Sequence, residues 1–224
     1  MTLLETKTAI VYGAGGAIGS AVARAFAREG ARVFLAGRAR AAPDEAARVI
    51  RGVGGTAEVT PVDALDRPAV ARHASAVADA AGGIDIAFNA TSNEDVQGTP
   101  LLDMSYKDFI RPVTKGVTSQ FVTATAVARH VRRHGSGVIL AMAGGREAIP
   151  LLGGSHVAWA ALAGLCRQLA CELGPEGIRV AWLLSPDASD PGLEAADVTL
   201  LGRRPTWTRA PTWRYSSLPT EPVA

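Results

Sequence analysis

Apolar and polar residues along this chain are arranged in blocks whose period keeps changing. Thr8-Ala-Ile-Val-Tyr12 is a short apolar run halted by glycines, the pattern of a strand buried on both faces. Ala17–Gly30 follows with helical spacing: Ile18, Val22, Ala25 and Phe26 recur on one face, and Gly30 supplies a stop. The exchange continues. Further strands are predicted at Arg32–Ala36, Thr56–Thr60, Ile84–Phe88, Gly137–Met142 and Ile178–Leu184. Helices are predicted at Pro43–Gly52, Asp66–Ala81, about Ser105–His134, and Ser155–Leu173. Asp66 is placed to cap its helix, with Pro68 early and Gly82-Gly83 as the stop. Pro112 is predicted to kink or interrupt the long helix. Asn89–Leu101 and Ala143–Gly154 read as loops.

Apolar strands alternating with helices imply an α/β fold, a Rossmann-like doubly wound parallel sheet covered on both faces. One domain over residues 1–184 is expected. From Ser185 the pattern stops, and residues 185–224 read as an irregular, flexible tail. This tail carries Pro205-Thr-Trp207 and Pro211-Thr-Trp213 beside Arg203, Arg204, Arg209 and Arg214. Tryptophans among arginines can bind nucleic acid, but the reading preferred here is a solvated tail.

Composition narrows the classes. The chain has 224 residues, is 48% hydrophobic and carries 23 basic against 21 acidic residues, net +2. That supports a sizeable core and excludes strong polyanion binding by overall charge. Cys166 and Cys171 lie five apart on one helix, about 140° around its axis, and should not bridge. Free thiols fit a reducing cytoplasm. Glu5 and Lys7 stand where a secretory signal would be apolar, and no uncharged apolar stretch approaches the roughly 20 residues of a membrane span. A cytoplasmic protein without membrane or metal partners is expected.

Gly13-Ala-Gly15-Gly16-Ala17-Ile18-Gly19 lies between the first strand and the first helix. There, Gly13 allows a tight turn, Gly15 and Gly16 let backbone approach phosphate oxygens, and Gly19 lets helix pack close to sheet. The first-turn N–H groups, with Ala17 and Ile18 among them, would then face a diphosphate. The expected ligand is a nicotinamide dinucleotide. An acidic residue at the end of the second strand would bond the adenosine ribose; this chain has Gly37-Arg38 instead. Arginine pairs with a 2′-phosphate, so NADP is favoured over NAD. Asp63 is placed either to accept from the adenine amino group or to cap a turn. Asn89 stands either at the cofactor or in an ordinary turn.

Together these segments resemble the short-chain dehydrogenase/reductase family over about Lys7 to Leu184. Tyr12–Gly19 is similar to the family's Thr-Gly-x-x-x-Gly-x-Gly loop, with Tyr12 for the threonine and Ala17 for the middle glycine. Ile84-Asp-Ile-Ala-Phe-Asn-Ala90 resembles the strand that ends in Asn-Asn-Ala-Gly, keeping Asn89. Gly164–Leu173 followed by Gly177-Ile-Arg-Val180 resembles the family's fifth helix and sixth strand. The resemblance implies hydride exchange between a nicotinamide and a carbonyl or alcohol carbon of an unidentified small molecule. It also implies a homo-oligomer paired through Ser105–His134 and Ser155–Leu173.

The resemblance further implies four catalytic side chains, and the sequence departs at each. Ser155 stands at the tyrosine position and Trp159 at the lysine position; Met142-Ala143-Gly144 replaces the serine, and the helix-four asparagine falls near Gly116. No shifted alignment restores a Tyr-x-x-x-Lys pair, because the tyrosines are Tyr12, Tyr106 and Tyr215 and the lysines Lys7, Lys107 and Lys115. His156 is a candidate proton donor, since imidazole titrates near neutrality. Ser155 is a candidate hydrogen-bond donor to a substrate oxygen, and Trp159 reads either as stacking on a ring or, the preferred reading, as packing into the space the lysine would take. Three functions follow: an NADP-dependent oxidoreductase with non-standard catalytic groups, a non-catalytic NADP-binding sensor or inactive partner subunit, and a non-redox enzyme reusing the pocket. The family continues past strand six with a substrate-covering segment, a helix and a seventh strand. Without that pattern in 185–224, an open sheet edge is expected unless the tail or a partner covers it.

Overall fold

The computed structural model describes residues 2–145 and 148–184. Six strands form one fully parallel sheet: β1 (Thr8–Tyr12), β2 (Arg32–Gly37), β3 (Ala57–Pro61), β4 (Ile86–Asn89), β5 (Gly137–Ala143) and β6 (Ile178–Leu184), in the order β3-β2-β1-β4-β5-β6. The helices are α1 (Ala17–Arg28), α2 (Ala41–Gly52), α3 (Arg67–Ala81), α4 (Tyr106–Val131) and α5 (Gly154–Leu173).

Every residue of β1 is buried because alternate side chains serve opposite layers. Ala9 and Val11 join Val33, Leu35 and Phe88 beneath α1 and α2. Ile10 and Tyr12 join Phe34, Ala87 and Ile139 beneath α3 and α4. The strand order reverses at β1, whose neighbours are β2 and β4. Such a switch point opens a crevice at the carboxyl ends of the strands, and the glycine loop lies there.

Two expectations are corrected. First, α4 runs unbroken from Tyr106 to Val131 with Pro112 inside it. Pro112 removes one N–H from the ladder, but Ser105 caps the helix by accepting from the Asp108 amide, and fifteen further residues of buried and half-buried packing carry it past the defect. Second, α2 starts at Ala41, two residues before the predicted start, while Pro43 stays in the first turn as expected, where its missing N–H costs nothing. Strand ends otherwise move by one or two residues. Asp66 caps α3 through the Ala69 amide, as its sequence predicts. Cys166 and Cys171 are both free. No helix among the described residues is long and apolar enough to cross a membrane. The readings of residues 185–224, including the open sheet edge, lie outside the described residues.

Candidate functional site: the crevice at the strand ends

β1 delivers the chain to Gly13, whose φ is +75°. A Cβ there would lie 2.5 Å from the Ala90 carbonyl oxygen, so only glycine fits. A Cβ at Gly19 would run into the Gly13 carbonyl. The Gly13 and Ala14 amides donate to Ala36 O at 2.9 and 3.1 Å, and the Gly16 amide donates to Gly13 O at 3.1 Å. These bonds set the turn and aim α1 at the crevice.

The N-terminus of α1 is open. Its cap residue is Gly16, no side chain among the described residues caps it, and its first turn holds no acid. Gly15, Gly16 and Ala17 are exposed and Ile18 half-buried. Orphan amides and the positive end of the helix dipole therefore face solvent. Beside Gly13, the buried Thr91 Oγ1 has no partner among the described residues. Unspent donors around a space where no Cβ intrudes are what a bound diphosphate requires.

The adenosine-side candidates divide. Arg38 is exposed just past β2. The Asp63 carboxylate accepts the Leu65 amide at 3.0 Å, closing a turn, and remains exposed. Asn89 is buried. Its Nδ2 donates to Thr123 Oγ1 at 3.2 Å and Ser119 Oγ at 3.4 Å, and its Oδ1 accepts the Thr91 amide at 2.9 Å. The side chain of Asn89 is thus spent on tying β4 to α4 and shaping the loop after β4.

At the other end of the crevice, Ser155 is fully buried and its Oγ accepts from Gln97 Nε2 at 3.3 Å. His156 is half-buried in the first turn of α5; its Nδ1 is buried and unpartnered among the described residues. Trp159 meets His156 edge-on at 6.4 Å between ring centroids, and its indole fills the space over Gly144. Met104 fills the space over Gly153. A Cβ at Gly116 would lie 2.7 Å from Asn93 Oδ1, so an amide from the β4–α4 loop occupies the place that a side chain on α4 would take. Asn93, Gln97 and Glu94 were not legible as site residues. The available signal was Gly116 itself, because a glycine inside a long helix costs stability and marks a close approach.

Comparison with known proteins decides the family. Residues 13–190 match the family model described as enoyl-(acyl carrier protein) reductase. An L-rhamnose 1-dehydrogenase (NAD(P)(+)) of Azotobacter vinelandii is 32% identical over 206 residues, 88% of this chain and 76% of that protein. A D-threitol dehydrogenase of Mycolicibacterium smegmatis is 30% identical over 181 residues, 79% of this chain and 68% of its own. The crystal structure of NAD+-bound xylitol dehydrogenase matches with a TM-score of 0.74 at 30% identity, covering 80% of this chain and 70% of that one.

The chain belongs to the short-chain dehydrogenase/reductase family. It spans about two thirds to three quarters of the length of these relatives. The family comprises NAD(P)-dependent oxidoreductases, and the glycine loop, β4 and α5 all fall within the matched span. Of the tyrosines, Tyr12 is buried with its hydroxyl 3.4 Å from His73 Nδ1, Tyr106 begins α4, and Tyr215 lies outside the described residues.

Proposed function

We propose that this protein is a cytoplasmic, NADP-preferring oxidoreductase that exchanges hydride with a carbonyl or alcohol carbon through non-standard proton-handling groups. The observation that carries it is the open amide turn at Gly13–Gly19, followed past β2 by an arginine in place of an acid. The amides of Gly15, Ala17 and Ile18 would hold the diphosphate, Gly16, whose own amide closes the turn on Gly13, would let the backbone approach it, and Arg38 would hold the 2′-phosphate. Asp63 would meet the adenine amino group with its free oxygen, and Asn89 would act through the loop it shapes. The nicotinamide supplies the hydride. What the chain must add is a proton source near the reacting oxygen. His156 is assigned that role. The buried Ser155, already bonded to Gln97, would position the turn that carries His156. Relatives named for NAD(P)(+) and for bound NAD+ support the dinucleotide class, and Arg38 supports the phosphorylated form.

A second reading has its own support. Trp159 fills the space over Gly144 and Asn93 that over Gly116, positions to which the family resemblance assigns reacting groups, which suits a nucleotide sensor or an inactive partner subunit.

Calorimetric titration of the full chain with NADPH and NADH tests the shared core of both. The expected result is tighter NADPH binding, with the preference erased in Arg38→Ala. Equal binding of both nucleotides by the wild type would refute the NADP assignment, and binding of neither would refute the site.

A further inference from the structure

The loop after β4 crosses the crevice and places a carboxylate at its adenosine end. Glu94 Oε1 accepts a close hydrogen bond from Lys115 Nζ on α4, and lies 3.6 Å from Arg38 Nη1 past β2. Arg111, one turn earlier on α4, adds a third positive charge nearby. Lys115 first, then Arg38 and Arg111, hold the Glu94 carboxyl below the ordinary carboxylate range, so it is ionised at neutral pH. The loop meets α4 at two adjacent places: Asn93 Oδ1 packs into the space over Gly116, and Glu94 pairs with Lys115. Glu94 itself sits at φ +56°, a conformation that residues other than glycine rarely adopt unless the surroundings impose it.

We infer that Glu94 is an internal occupant of the cationic corner at Arg38, and that it sets nucleotide choice by competing there with a 2′-phosphate. The inference rests on the dinucleotide reading above. A nucleotide with a free 2′-hydroxyl can enter beside Glu94 and donate to it. A 2′-phosphorylated nucleotide must displace the carboxylate from Arg38 or bear its repulsion. The preference conferred by Arg38 is therefore held in check by a residue from the opposite wall of the crevice, and strengthens when that residue is neutralised.

The test is calorimetry of the wild type, Glu94→Gln, Arg38→Ala and the double variant against NADPH and NADH. Glu94 is half exposed, and glutamine keeps its size and its contact with Lys115, so folding is not at stake. Glu94→Gln should tighten NADPH by roughly tenfold, the scale of one carboxylate repelling a nearby phosphate at a hydrated surface. NADH should change by less than about threefold, and without Arg38 the NADPH gain from Glu94→Gln should also shrink below about threefold. An unchanged ratio of the two affinities overturns the inference, as does a full NADPH gain that persists without Arg38. Failure of every protein to bind either nucleotide would instead remove the dinucleotide reading, and this inference with it.

Discussion

His73 shows how one residue couples burial to pH. It lies beneath the sheet, edge-on to Tyr12 at 5.7 Å between ring centroids, with Nδ1 3.4 Å from the Tyr12 hydroxyl and Nε2 unpartnered among the described residues. Burial pushes its pKa from 6.5 down to about 4, and burial pushes the Tyr12 hydroxyl well up, so both stay neutral. The unfolded chain protonates His73 below about pH 6.5 while the folded chain resists until about pH 4. The unfolded state therefore binds more protons in that window, and stability falls as pH drops through it. The shift corresponds to a loss on the order of 3 kcal/mol. His73→Gln should flatten the fall in melting temperature between pH 6.5 and 4. His130, also lowered chiefly by burial, leaves a residual slope of the same sign. An unaltered pH profile in His73→Gln would show that the acid sensitivity arises elsewhere.

Elements differ in how far the sequence reveals them. The strands were legible because a doubly covered parallel sheet needs unbroken apolar runs, and the glycine loop because each glycine answers a steric demand at a fixed place. Helix ends were legible where a cap marked them, as at Asp66, and not where packing overrode a proline, as at Pro112. The β4–α4 loop was opaque. It has no period, and the roles of Asn93, Glu94 and Gln97 exist only because Gly116, Arg38 and Ser155 arrive from other elements. The first turn of α5 lies between these cases: its residues could be aligned to the family, but the indole filling the space over Gly144 could not be read. This turn carries the chemical prediction. With NADPH and a panel of small carbonyl compounds, His156→Ala should lower kcat by about 10²-fold or more, the usual worth of a positioned general acid, while leaving the NADPH dissociation constant unchanged. Equal turnover in the variant would remove His156 from the mechanism. Absence of turnover in the wild type, with nucleotide still bound, would favour the sensor reading.

At the scale of the whole molecule, two helices cover one face of the sheet and turn small or apolar side chains outward. Val157, Ala160 and Gly164 are exposed along a single stripe of α5, since residues three and four apart share a helical face. Phe121 on α4 is 44% exposed. Among the described residues, and apart from the helix's own backbone, no atom lies within 4 Å of where a Cβ at Gly164 would be, so no described neighbour requires glycine there, whereas close approach of a second helix would. These are the helices through which the family resemblance implies pairing, and an apolar stripe of this kind is expected to be covered by another copy. Gly164→Arg separates assembly from folding. Its side chain would meet none of the described residues at the Cβ, so unfolding stability should change by less than about 1 kcal/mol per protomer beyond the loss of association itself. Between two copies the same side chain would be buried and unpaired, at a cost of several kcal/mol. Light scattering should therefore give an oligomer for the wild type and a monomer for Gly164→Arg. A wild-type monomer, or a variant that assembles unchanged, would mean that this face of α5 is not where copies meet.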